Sequence, residues 1–196
     1  MKQNDLNTGI PGQGGPTRRA QMPDIFDGAE LKTRPASCVI QKPQGEIFSF
    51  FRDFSNFPRF MKHVTRVEQL SPTTHRWTIQ TSRGEVKHWE TEIIEERPGE
   101  LVAWKTKPES IFQQTAALLL EPAVGGRGTI ASFKIAFDTT FGKIAGQVER
   151  PFLADPDAEA AMNIRRFKAL LETGEVPTTE GQPNGKEAAD AEENVA

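Results

Sequence analysis

Three histidines, a lone cysteine and an adjacent Arg–Asp pair are the residues of this chain whose types could do chemistry. His75 and His88 fall on neighbouring segments and could approach each other as two ligands of a metal. A third ligand is missing, as is any HExxH-like spacing, so surface or hydrogen-bonded histidines are the expectation and no metal is assigned. His63 follows Met61-Lys62 beside a Phe-rich segment and could move a proton at a cavity mouth, but no partner for it can be named. Arg52-Asp53 reads as a helix cap by Asp53 with an exposed Arg52. Cys38 lies in a short apolar run and is expected in the core, since no Cys–His–Asn pattern supports a nucleophile. Glu92, Glu95 and Glu96 read as a solvated strand end, and Arg127 as part of a Gly-rich hairpin. Gly12-Gln13-Gly14-Gly15 is a linker, because no strand precedes it and no helix follows. No catalytic residue and no cofactor is assigned.

The aromatic residues carry more. Trp77, Trp89 and Trp104 fall on successive predicted strands and could wall one pocket, since ligand pockets are mostly apolar. Ordinary core packing of the same tryptophans is the competing explanation. Phe57, Phe60 and Met61, between a helix and a strand, could form a lid, because Met and Phe re-pack around varied partners.

These side chains need elements to hold them. Ala36–Ile40 is a short β-leaning run. Pro43 suits the first turn of a helix over 43–52, whose apolar face is Ile47, Phe48 and Phe51. Asp53 caps a second short helix bearing Phe54 and Phe57, ending by Met61. Strands follow at 66–70, 75–81, 85–96, 101–106, 115–121 and 129–138, joined by turns at Ser71-Pro72-Thr73-Thr74, Ser82-Arg83-Gly84, Arg97-Pro98-Gly99 and Gly125-Gly126-Arg127-Gly128. His75, Trp77 and Ile79 share one face. Lys87, Trp89, Thr91 and Ile93 share another, as do Ala131, Phe133, Ile135 and Phe137. A helical stripe runs through Phe141, Ile144, Ala145, Val148 and Phe152. Asp155-Pro156 restarts the helix, and Ala160, Ile164, Phe167 and Leu171 form a second stripe up to Gly174, a natural C′ residue. The pattern is α+β: one twisted antiparallel sheet of seven strands, covered by the C-terminal helix. Small residues among large ones (Thr91, Ala103, Ala131) would leave part of the enclosed space unfilled.

Composition sets the borders. The 196 residues carry 24 Lys+Arg and 27 Asp+Glu, a net charge of −3, with 36% hydrophobic residues. The net negative charge comes from the stretch after residue 174, where Glu175, Glu180, Glu187, Asp190, Glu192 and Glu193 face the single base Lys186. The Gly/Pro-rich start and the polar end cannot bury enough apolar area to offset chain entropy. The expected division is a flexible tail at 1–34, a domain at 35–174 and an acidic disordered tail at 175–196. The domain has no basic patch, which argues against nucleic acid. No apolar run approaches the roughly 18–20 residues needed to span a membrane. With no export signal and one cysteine, a soluble cytoplasmic protein is expected.

Phe50-Phe51-Arg52-Asp53-Phe54-Ser55-Asn56-Phe57-Pro58-Arg59-Phe60-Met61 resembles the F-W-R-D-x-x-N-x-P-x-F-M segment of the polyketide cyclase/dehydrase family. That family belongs to the START-like, or SRPBCC, superfamily, together with coenzyme-Q-binding START proteins. The segments His88-Trp89-Glu90-Thr91-Glu92-Ile93, Pro98-Gly99-Glu100-Leu101-Val102-Ala103-Trp104, Gly125-Gly126-Arg127-Gly128-Thr129 and Arg165-Arg166-Phe167-Lys168-Ala169-Leu170-Leu171 are similar to further parts of it, in the same order. The resemblance covers roughly residues 35–180. It implies a helix-grip fold, a seven-stranded antiparallel sheet wrapped on a long C-terminal helix around an apolar cavity, with two short helices after the first strand.

The resemblance also implies a hydrophobic ligand such as a lipid, a quinone or a polyketide. The ligand-binding residues expected are Phe57, Phe60, Met61, Trp77, Trp89, Trp104, Phe133, Ile164 and Phe167. The catalytic Arg and hydroxyl residues of the true aromatase/cyclases find no matching positions here, and the chain has no Tyr. Binding of a hydrophobic small molecule is therefore the leading expectation. A polyketide cyclase or dehydratase using the same cavity, and a protein-interaction module, are the alternatives.

Overall fold

The computed structural model describes residues 21–26, 31–32, 34–80, 84–110, 113–138 and 156–177. A two-residue strand β1 (Leu31–Lys32) precedes β2 (Ala36–Ile40), helix α1 (Gln44–Arg52) and a 3-10 turn at Phe54–Arg59. Six strands then run in a meander: β3 (Val64–Gln69), β4 (Thr74–Gln80), β5 (Val86–Arg97), β6 (Leu101–Thr106), β7 (Gln113–Pro122) and β8 (Thr129–Asp138). Helix α2 (Pro156–Thr173) closes the described chain. The helical stripe expected over Phe141–Phe152 lies outside the described residues.

All neighbouring strands are antiparallel, in the order β1-β8-β7-β6-β5-β4-β3, and β2 also pairs with β8. β1 and β2 lie in tandem along one edge of β8, with Leu31 opposite Phe137 and Ala36 opposite Phe133. The seven strands expected are therefore present, and the short β1 extends their edge. The sheet with its C-terminal helix is the α+β, START-like helix-grip arrangement.

Alternation assigns the two faces. Trp77, Ile79, Ile93, Val102, Trp104, Leu118, Leu120 and Phe133 join one core, closed from above by α1, the 3-10 turn and α2. Leu101, Ala103, Ala117, Leu119 and Ala136 lie on the opposite face. Ala103 therefore leaves no gap in the main core, contrary to expectation, because its odd register turns it outward beside Leu101. Phe26 covers this outer patch and is buried, with Lys134 Nζ 4.3 Å from its ring centroid. Arg97 Nη2 donates to the Gln21 carbonyl at 3.0 Å, holding the same segment. These contacts lie on the N-terminal side of the domain border expected at residue 35.

The 3-10 turn explains how its aromatics pack. With three residues per turn, Phe54 and Phe57 eclipse one another on a single face, and Phe60 follows as the C-cap. Asp53 caps it by accepting from the Ser55 amide at 3.1 Å. Phe51, Phe54 and Phe57 then surround Trp104 at centroid distances of 5.7, 5.1 and 5.9 Å. Each such ring contributes roughly 1.5–3 kcal/mol by leaving water.

One glycine is required by close approach. Gly128 sits at φ +100°, and a Cβ there would lie 2.2 Å from the Ile40 carbonyl oxygen. The chain passes so close because Thr129 Oγ1 donates to the Lys42 carbonyl at 2.9 Å and β8 pairs with β2 from Thr129 onward. At the other end, Gly174 (φ +82°) ends α2, its amide donating to the Leu170 carbonyl at 2.9 Å. Among the described residues no helix is long and apolar enough to cross a membrane.

Candidate functional site: a cavity between sheet and helix

A cavity of about 80 Å³ lies between the inner face of the sheet and α2. β4 contributes Trp77 and Ile79, β5 Trp89, β6 Trp104, and β8 Phe133, Ile135 and Phe137. Met61, His63 and Val64 close one side, while Glu159, Ala160 and Asn163 of α2 form the roof. Trp77, Trp104 and Phe133 are buried, whereas Met61, His63, Trp89 and Glu159 are half-buried. The latter group therefore marks the mouth, and the former the deep end.

The wall is built by strand register. Trp77 and Trp89 are directly opposite on β4 and β5, and their rings stack with centroids 6.2 Å apart and planes 5° apart. The Trp77 indole N–H donates to Thr91 Oγ1 at 2.8 Å, two residues along the same face of β5. Thr91, expected as a gap because it is small, is thus a buried hydrogen-bond partner. Trp104 tilts against Phe133 at 6.2 Å, which links β6 to β8.

Of the residues expected to bind a ligand, Met61, Trp77, Trp89, Trp104 and Phe133 are brought together around the cavity. Phe57, Phe60, Ile164 and Phe167 are buried in the core beside it and do not line it. The lid expected from Phe57 and Phe60 is instead packing: Phe57 lies 5.0 Å from Trp77, and Phe60 lies 5.1 Å from Phe167. Asn163 and Glu159 are missed by sequence reasoning because polar residues on an amphipathic helix are ordinarily assigned to its outer face. Their spacing is the available signal: Ala160, Asn163, Ile164 and Phe167 run at i, i+3, i+4 and i+7.

Buried polar atoms of this wall lack a hydrogen-bond partner among the described residues. The indole N–H of Trp104 is one and the side-chain oxygen Oδ1 of Asn163 is another, with the residues only 2% and 7% exposed. Asn163 Nδ2 donates to Glu159 Oε1 at 3.2 Å. An ionised carboxylate can only accept, so this bond fixes the amide orientation and leaves Oδ1 as the open acceptor.

The remaining candidates are placed elsewhere. Arg52 Nε pairs with Glu96 Oε2 at 2.8 Å and its Nη2 donates to the Pro72 carbonyl at 2.7 Å, tying α1 to the sheet away from the cavity. His88 is exposed on the outer face, where its Nδ1 lies 3.0 Å from Thr78 Oγ1, while His75 is buried on the inner face opposite Thr91. The two histidines therefore cannot share a metal. Among the described residues no three His, Cys, Asp or Glu side chains converge to hold one. His75 tilts against Phe54 at 4.4 Å, and burial, then the charge of Arg52, push its pKa down to about 4. Cys38 is half-buried with Sγ 3.8 Å from the Ile164 carbonyl, and burial pushes its thiol up to about 11, far from a thiolate nucleophile.

Similarity to known proteins agrees with this geometry. An uncharacterized 17.2 kDa protein of Streptomyces lincolnensis is 36% identical over 70 residues, which cover 36% of this chain and 46% of that protein. The chain thus matches less than half the length of this curated relative. A crystal structure from Deinococcus radiodurans superimposes with a TM-score of 0.57 at 25% identity, covering 73% of this chain and 98% of the other. The di-domain ARO/CYC protein StfQ of the steffimycin biosynthetic pathway shares the fold, with a TM-score of 0.53 at 16% identity over 72% of this chain and 52% of its own length. The family model described as polyketide cyclase / dehydrase and lipid transport matches residues 40–156, more than half of the sequence. This chain belongs to that polyketide cyclase / dehydrase and lipid transport family.

Proposed function

We propose that the protein binds an apolar, ring-bearing small molecule in the cavity between the sheet and α2. The observation that carries this reading is the aromatic wall itself: Trp77, Trp89, Trp104 and Phe133 surround space instead of filling it. The family's hydrophobic-ligand and cyclase roles support it. At about 80 Å³ the cavity is smaller than the usual range for drug-sized ligands, about 300–1,000 Å³. The occupant is therefore a ring-sized group held at depth, with any larger remainder projecting past Met61, His63 and Trp89. Burial drives the binding, at roughly 25 cal/mol per Å² of apolar surface removed from water.

A catalytic reading rests on one observation, the two titratable residues His63 and Glu159 in the cavity wall. Either could move a proton on a bound ring or its precursor. Arg52 has no place in such a scheme, because its charge is spent on Glu96 and Pro72.

Titration of the full chain with toluene by calorimetry tests the binding reading. Saturable one-to-one binding is expected, and Ala160→Phe, which pushes a ring into the roof, should abolish it. Toluene binding that Ala160→Phe leaves unchanged would place the ligand elsewhere and overturn the proposal.

A further inference from the structure

We infer that the cavity selects ligands carrying a hydroxyl group on the ring, held between the Trp104 indole N–H and Asn163 Oδ1; this rests on the binding reading above. The large majority of buried side-chain polar atoms in folded proteins have a partner. Here, among the described residues, two that border one small cavity each retain an unpartnered polar atom, one a donor and the other an acceptor. The donor comes from the sheet and the acceptor from the helix.

The sign of each atom is fixed by chemistry. An indole nitrogen can only donate. Asn163 Oδ1 can only accept, and its orientation is locked by the bond from Nδ2 to Glu159. A ligand that completes the site must therefore offer an acceptor to Trp104 and a donor to Asn163. A hydroxyl does both with one oxygen, whereas a ketone or ether leaves Asn163 unpaired and a bare hydrocarbon leaves both. The surrounding aromatic wall supplies the second half of the specificity, a flat apolar body around the polar point. The hydroxyl would enter first, because Trp104 is among the most deeply buried lining residues and Trp89 is nearer the mouth.

Fluorine NMR titration of the full chain with 4-fluorophenol and with fluorobenzene separates the possibilities. The phenol should bind at least about fivefold more tightly, the lower end of what an unmade buried hydrogen bond costs. Asn163→Leu, nearly the same shape, should weaken 4-fluorophenol by about that factor and leave fluorobenzene within twofold. The same variant's unfolding equilibrium should stay within about fivefold of wild type, about 1 kcal/mol, because it removes an unpartnered acceptor together with the single bond from Nδ2 to half-buried Glu159. Equal binding of the two probes, unmoved by Asn163→Leu, would overturn the hydroxyl inference and leave the binding reading standing. Binding of neither probe would overturn both. A loss of stability in Asn163→Leu well beyond that seen in Glu159→Ala, which breaks the Nδ2 bond alone, would show that Oδ1 serves the fold and would overturn the inference too.

Discussion

Trp77 and Trp89 stack across β4 and β5 with their planes 5° apart, yet only Trp77 is buried. The pair therefore divides its work. Trp77, 4% exposed and bonded to Thr91, holds the sheet to the core, while half-buried Trp89 stands at the cavity mouth. Trp77→Ala should cost about 3–5 kcal/mol in urea unfolding, the range for a buried large aromatic. Trp89→Ala should cost much less stability and still weaken toluene at least about fivefold, since roughly 1 kcal/mol or more is expected from a lost aromatic contact. Equal stability losses would mean that the two rings are core residues alike.

His75 makes stability depend on pH. Its imidazole normally titrates near 6.5, but burial and the Arg52 charge hold it neutral down to about 4. The unfolded chain takes up the proton first, so stability is full above pH 6.5 and falls as pH drops from 6.5 toward 4. At about 1.4 kcal/mol per unit, the whole window is worth on the order of 3 kcal/mol. Denaturation midpoints of His75→Leu should be flatter than wild type between pH 6.5 and 4.5. Below that, Glu90 and Glu172 add their own dependence, since both carboxyls titrate below their ordinary 4.5; Arg76 and Lys107 hold Glu90 down, and Glu172 stays low through hydrogen bonds from Lys168 and the Gln41 amide despite burial.

Two glycines with positive φ should respond differently to alanine. Gly99, at φ +80° with nothing within 4 Å of the position a methyl would take, carries only the left-handed backbone cost, about 1–2 kcal/mol. Gly128 adds a collision with the Ile40 carbonyl oxygen at 2.2 Å. Gly128→Ala should therefore be destabilised by at least about twice as much, measured by the same unfolding series.

Phe26 should matter to the fold without touching the cavity. Phe26→Ala uncovers Leu101 and Leu119 on the outer face and should cost about 3 kcal/mol or more. Toluene affinity should stay within twofold, because the sheet lies between the two sites.

Period-two alternation makes the strands legible. β2, β6 and β8 match the expected spans, and the remaining strands differ at their ends, as at Val64, where a bulge between Val64 and Arg66 shifts the register. β1 is not legible because a two-residue pairing has no period. Phe26 stays hidden because Met22, Ile25 and Phe26 form a short apolar group with no regular period, which does not announce a partner on a distant strand. The tryptophan wall can be read from three strands, but its chemistry cannot. Asn163 looks like a misplaced polar residue in a helical stripe until its bond to Glu159 and its place at the cavity are known. Phe57, Phe60 and Met61 suggest a lid because Met and Phe re-pack readily, whereas the 3-10 turn packs Phe57 against Trp77, Phe60 lies against Phe167, and Met61 alone of the three lines the cavity.

Native mass spectrometry of the full chain purified from its source cells tests the central claim most directly. Wild type should carry one small molecule per chain, an apolar compound bearing a hydroxylated ring, and the Ala160→Phe chain should carry none. Bare wild-type chain, or the same adduct on both, would contradict the account.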